Sequence, residues 1–234
     1  MTFSLAATEP EPELVLRYAE SQPIDLYGVN SIEDHLVIVL HGGFWRSRYD
    51  RCHLRPFASW LASQGLAVAL PEFRRVGDAG GGWPGTLRDV EHVVRHLSGA
   101  LKKSRTTLLG HSSGGHLALL AACYGAEVDR TVALAGILDL ADAHRSGLSD
   151  NAVSEFLGLS ALATADPMAL ELPRCGISLV HGTADAEVPM AHSVRYASRH
   201  PSVELQLLAR VDHYALIDPT DQARYAALSS IRHP

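Results

Sequence analysis

Apolar residues in this chain come in short runs, and the spacing inside each run decides its element. His35 to Leu40 (HLVIVL) is almost continuously apolar, the pattern of a strand buried on both faces. Leu54 to Ser63 instead places Leu54, Phe57, Ala58, Leu61 and Ala62 at helical spacing, and Gly65 stops it. Thr86 to Leu97 has the same period, with Leu87, Val90, Val94 and Leu97 on one stripe. Strands are also predicted at Leu14 to Tyr18, Ile24 to Val29, Leu66 to Leu70, Thr106 to Leu109, Thr131 to Ala135, Ile177 to Val180 and Val203 to Leu208. Helices follow at His116 to Cys123, at Met190 to Ser198, and from Pro219 to about Ile231, since Pro suits a first helical turn.

These eight strands alternate with helices, which implies a mainly parallel sheet with right-handed crossovers and helices on both faces. The first two, separated by a Ser-Gln-Pro turn, are expected as an antiparallel hairpin. Residues 1–12 are Pro/Glu-rich and read as a loose lead-in, and 137–166 as a polar excursion of two short helices. No repeat or low-complexity linker divides the chain, so residues 1–234 are expected to form a single domain.

Composition narrows the classes of function. At 234 residues, 47% hydrophobic and 20% charged, the chain can bury an ordinary core. A net charge of −6 with no basic block argues against nucleic acid and anionic membrane as partners. No apolar stretch is long enough for a membrane span, and the N-terminus lacks a basic start and a long apolar core, so a cytoplasmic location is expected. Three scattered cysteines, Cys52, Cys123 and Cys175, read as reduced and mostly buried thiols. Neither H-E-x-x-H nor paired Cys/His spacing occurs, so no metal or cofactor is expected. The oligomeric state is left open.

The chemistry gathers around Gly110-His111-Ser112-Ser113-Gly114, which lies between a strand and a helix. A strand that reverses at once into a helix strains its central residue, and side chains two positions either side would meet crossing backbone. Ser112 is therefore the candidate nucleophile. Such a serine needs a base and an acid that orients the base, and both must follow it in the chain on this architecture. Asp185 lies just past one strand, and His213 just past the next, 28 positions on. Asp139, Asp142 and Glu187 are rival acids. Among the 13 histidines, His41 and His181 sit at strand exits as loop pins, and His111 and His116 pack beside the serine. His53, His92, His96, His144 and His200 read as solvated. His41-Gly42-Gly43-Phe44 supplies an oxyanion loop in which the donors are Gly43 and Phe44, or Gly42 and Gly43, joined by the N–H of Ser113. Trp45, Trp83, Phe156 and Tyr214 are candidate linings of a substrate pocket.

Over roughly residues 14 to 231 the chain resembles the α/β-hydrolase superfamily. H-G-G-F-W with G-H-S-S-G-G-H-L looks like the kynurenine formamidase and hormone-sensitive-lipase-like esterase branches. Glu72-Phe73-Arg74-Arg75, then Trp83-Pro84 and Asp89, is similar to a further segment of those esterases. His181-Gly182, Asp185 and Val188-Pro189 look like the acid loop of prolyl-oligopeptidase-type peptidases. The resemblance implies an α/β-hydrolase fold and a triad of Ser112, Asp185 and His213. It departs in HGGF for HGGG, and in a cap that is missing or reduced to parts of 137–166. The expectation is a serine hydrolase of small carboxylic esters or activated amides. Alternatives are an arylformamidase, a prolyl-oligopeptidase-type aminopeptidase, and a non-catalytic hydrolase-fold ligand receptor.

Overall fold

The structure, a computed structural model, describes residues 10–19, 22–101 and 103–233. Its centre is β3 (His35–Leu40), in which every residue is buried. Alternate side chains of that strand go to opposite layers, as pleating requires. Leu36, Ile38 and Leu40 pack with Val90 and Val94 of α2 (Gly85–Leu101) and Leu117 of α3 (Ser113–Cys123). Val37 and Val39 pack on the other side with Phe57 and Leu61 of α1 (Arg55–Ser63) and Ile231 of the closing helix (Arg224–Arg232). The run looked unbroken in sequence because both faces are covered.

The remaining strands are β1 (Leu14–Ala19), β2 (Gln22–Tyr27), β4 (Ala67–Pro71), β5 (Arg105–His111), β6 (Arg130–Leu134), β7 (Gly176–Gly182) and β8 (Glu204–Leu208). They form one eight-stranded sheet in the order β1-β2-β4-β3-β5-β6-β7-β8. The β1–β2 and β2–β4 pairs are antiparallel, with Leu14 opposite Leu26 and Ile24 opposite Pro71. Every other pair is parallel, with Leu36 opposite Thr106 and Thr107 opposite Arg130. This is the α/β-hydrolase arrangement. The carboxyl ends of β3, β5, β7 and β8 open on one edge of the sheet, where the candidate residues sit.

The excursion after β6 holds α4 (Leu140–Arg145) and α5 (Leu148–Leu157). Asp166 anchors it, its carboxylate accepting from the N–H groups of Leu140, Ala141 and Met168 at 3.2, 3.1 and 3.0 Å. The start of α5 is irregular: Ser149, Asp150 and Asn151 all have left-handed backbone. No helix among the described residues is long and apolar enough to cross a membrane.

Some expectations shift. The closing helix begins at Arg224, not Pro219. The intervening segment is turns, in which the carboxylates of Asp218 and Asp221 accept from the N–H groups of Thr220 and Ala223 at 2.7 and 2.8 Å. An Asp side chain that satisfies a nearby N–H offers the backbone an alternative to helix. The three cysteines are unpaired and half-buried rather than mostly buried. Of the expected lead-in, 1–9 lie outside the described residues, as does Ser21 of the hairpin turn. Pro10 is tied down by the Tyr27 hydroxyl, which donates to its carbonyl at 3.0 Å.

Candidate active site

Ser112 occupies the turn between β5 and α3 with φ 58° and ψ −122°, a conformation that costs a non-glycine residue strain. The two flanking glycines are required by close approach. A Cβ on Gly110 would lie 2.0 Å from the Gly114 carbonyl oxygen, and one on Gly114 2.2 Å from that of Leu40. The turn is pinned from both sides: the Ser112 N–H donates to Leu134 at 2.8 Å, and its carbonyl accepts from Gly115 at 3.0 Å.

Asp185 and His213 lie on the loops after β7 and β8, and meet. His213 Nδ1 is 2.7 Å from Asp185 Oδ2. The other oxygen of Asp185 accepts from the N–H groups of Glu187 and Val188, both at 2.9 Å. A second imidazole reaches the carboxylate, with His181 Nε2 3.2 Å from Oδ2. Burial pushes this carboxyl up, but hydrogen bonds from His181 and His213 outweigh it and hold it well below the usual carboxylate range. An ionised Asp185 accepts from Nδ1–H of His213 and so leaves Nε2 with its lone pair.

His111, next to Ser112 in the chain, ties this loop to the elbow. Its Nε2–H donates to the His213 carbonyl at 2.9 Å, and the two rings lie 4.5 Å apart. Burial, and then the neighbouring His213, keep His111 well below its ordinary pKa. The rival acids are engaged elsewhere. Asp139 and Asp142 bind the Arg195 guanidinium at 2.6 and 2.5 Å, and Glu187 is exposed on its loop.

The loop leaving β3 passes beside the serine, where a Cβ on Gly42 would be 3.0 Å from that of Ser112. Phe44 and Trp45 have positive φ, 53° and 59°. Among the described residues, the N–H groups of Gly42, Gly43, Phe44 and Ser113 have no acceptor within the protein.

Two of the pocket aromatics are placed differently from expectation. Trp45 and Phe156 are 2% and 1% exposed and stack on each other at 4.7 Å, so they are core rather than open lining. The indole N–H of Trp45 donates to His116 Nδ1 at 3.2 Å. Trp83 is half-buried, and Tyr214 is 37% exposed beside His213, with ring centroids 5.1 Å apart. His53 is not solvated either. It is half-buried, donates to the Asp50 carbonyl at 2.6 Å, and is lowered to about 4 by burial and then by His41.

Nothing local in the sequence marks Arg46. Its guanidinium holds Glu155 at 2.6 Å, and the Ser149 and Asp150 carbonyls at 2.8 and 3.2 Å, clamping the left-handed start of α5 onto the loop after β3. Those partners lie more than a hundred positions away, at 103, 104 and 109, so no spacing signals them. The Arg74–Asp89 pair was carried only by resemblance. It is bidentate, at 2.9 and 2.6 Å, and fixes the segment after β4 to α2.

A family profile described as BD-FAE matches residues 24–199. No curated protein matches the chain. Among solved structures the chain is similar to esterase B from Lactobacillus Rhamnosis, with a TM-score of 0.79 and 21% identity over 96% of this chain and 86% of that one. It is also similar to esterase 2 of Thermogutta terrifontis, with a TM-score of 0.73 and 19% identity over 96% and 92%. A third is an acetyl ester-xyloside bifunctional hydrolase from Caldicellulosiruptor lactoaceticus, with a TM-score of 0.74 and 19% identity over 95% and 94%.

Proposed function

The chain belongs to the BD-FAE family, and we propose that it is a serine hydrolase of small carboxylic esters working through an acyl-enzyme at Ser112. The observation that carries the reading is the 2.7 Å contact of His213 Nδ1 with Asp185, which leaves Nε2 as a base on the loop tied to the Ser112 elbow. In this mechanism Ser112 Oγ attacks the acyl carbon as its proton passes to His213 Nε2. The tetrahedral intermediate places its oxygen among the N–H groups of Gly43, Ser113 and either Gly42 or Phe44. As the C–O bond breaks, His213 returns the proton to the departing alcohol. Water repeats the cycle and releases the acid.

The aminopeptidase alternative needs a free carboxylate for a substrate ammonium. Glu72 is committed to His41 and Arg75 at 3.0 and 3.2 Å, and Asp78 to Arg75 at 3.3 Å, which speaks for esters. The solved structures with this fold that are named esterases lend support. Labelling with a fluorophosphonate tests the proposal, followed by a panel of acyl esters, aminoacyl anilides and N-formyl arylamines. The expected result is one label, on Ser112, absent from Ser112→Ala, and fastest turnover of an ester. A label elsewhere, or an anilide outpacing every ester, would overturn it.

A further inference from the structure

Both ring nitrogens of His41 face groups that can only accept. Nδ1 is 2.8 Å from the Gly42 carbonyl oxygen, and Nε2 is 3.0 Å from Glu72 Oε1. A carbonyl has no proton to give, and an ionised carboxylate has none either. Glu72 is ionised: burial raises its carboxyl, but the contact with His41, then Arg75 and the Arg51 N–H, bring it down to about 2. It also accepts from the Phe73 N–H at 3.2 Å. Two donor contacts from one imidazole require protons on both nitrogens.

We propose that His41 is a buried imidazolium, a positioning residue that grips the Gly42–Gly43 peptide by its carbonyl and polarises the Gly43 N–H. The carbonyl of Gly42 and the N–H of Gly43 belong to one planar peptide unit. A charged donor on the oxygen draws electron density from the nitrogen, strengthens the N–H as a donor and fixes its direction. Gly43 is the donor common to both registers of the oxyanion loop. The ring itself cannot turn away. It is 1% exposed and stacks on Phe73 at 4.2 Å with planes 6° apart.

The surrounding charges allow this state. From the segment after β4 come Glu72, Arg75 and Asp78, the last two paired at 3.3 Å. From the approach to α1 come Arg51 and Arg55, which hold Asp25 of β2 at 2.8 and 2.9 Å. Arg55 also reaches Glu11 at 3.8 Å, so three arginines face the four carboxylates of Glu11, Asp25, Glu72 and Asp78, and the proton on His41 balances them. His53 meets the ring edge-on at 6.0 Å and, lowered to about 4 by burial first, adds no charge at neutral pH.

The inference rests on the ester-hydrolase reading, so wild-type turnover is measured first; an inactive wild type sinks that reading, whatever the state of His41. Ring-nitrogen NMR of histidine-labelled wild-type protein, assigned by comparison with His41→Gln, then reads the protonation directly. Both His41 nitrogens are expected to give imidazolium signals, with Glu72→Gln returning the ring to a neutral tautomer. His41→Gln keeps a donor but no charge, and is expected to lower kcat by about tenfold or more with KM little changed. The double variant should lose no more than either single one. One unprotonated nitrogen in an active wild type, or an unchanged kcat in a folded His41→Gln, would overturn the proposal. Should His41→Gln fail to fold, the wild-type spectrum, assigned through Glu72→Gln, decides the matter alone.

Discussion

His213 donates through Nδ1 to Asp185 at 2.7 Å, and the same carboxylate oxygen is 3.2 Å from Nε2 of a second histidine, His181. Asp185 is therefore held by donors on both sides, and its charge is fixed rather than shared. In Asp185→Asn the amide oxygen or nitrogen meets Nδ1, and the tautomer that leaves Nε2 free is no longer enforced. Turnover of a short ester is expected to fall by about three to four orders of magnitude, as for other triads, with little change in melting temperature. Fluorophosphonate labelling should slow in step. Activity within tenfold of wild type would assign the acid elsewhere.

Acid sensitivity of the fold follows from its buried imidazoles. His116 accepts from Trp45 on Nδ1 and donates to the Ala165 carbonyl on Nε2 at 2.7 Å, so it is neutral, and burial lowers it from 6.5 to about 4. His35 and His192 are lowered to about 4 as well, burial again leading. Between 6.5 and about 4 the unfolded chain binds protons that the folded one refuses, so stability falls as pH falls through that window. Glu72 acts lower down. Its depressed carboxyl contributes stability above 4.5, which is lost as pH drops toward about 2. Melting temperature measured against pH should decline steadily below 6.5. A flat profile across that window would contradict the burial of these rings.

The elbow and the chain order of Asp185 and His213 were legible because each is a local problem. A strand, a turn and a helix need Gly110 and Gly114 whatever surrounds them, and loops after successive strands are read from the alternation. The Trp45–Phe156 stack and the Arg46 clamp were hidden, because their partners come together only once α5 folds back over the loop after β3. Asp218 and Asp221 were visible as residues. Pro219 is the stronger local signal for a helix start, yet the Asp turns hold the backbone and the helix begins only at Arg224.

Glycine spacing gives a sharp stability test. In Gly114→Ala the new Cβ would sit 2.2 Å from the Leu40 carbonyl oxygen and 2.5 Å from that of His41, both backbone atoms that cannot swing aside. A loss of about 1–3 kcal/mol or more is expected, together with loss of turnover. Gly99 is the control: it lies exposed in α2 with nothing within 4 Å of the added methyl. Gly99→Ala should raise stability by up to about 1 kcal/mol through helix propensity alone. Urea midpoints of the two variants moving the same way would refute the packing argument.

Acyl-chain length should be limited by the buried stack of Trp45 on Phe156. Phe156 is 1% exposed, stacks on Trp45 at 4.7 Å, and meets His116 edge-on at 5.7 Å, filling the space between α5 and α3. Trp45 is in turn joined to the elbow, its backbone N–H 3.4 Å from Ser113 Oγ. A long acyl chain extending from Ser112 toward α5 would have to displace these rings, whereas an acetyl or butyryl group would not. Short esters should therefore outpace long ones by at least about tenfold, roughly 1.4 kcal/mol in transition-state discrimination. Phe156→Ala removes the obstruction at a stability cost of about 3–5 kcal/mol. Measured well below its melting temperature, this variant should raise the ratio of kcat/KM for p-nitrophenyl octanoate over acetate by about tenfold. If the ratio stays at the wild-type value while the variant remains folded, the acyl chain leaves Ser112 in another direction, and the limit must be sought near Tyr214 and Trp83.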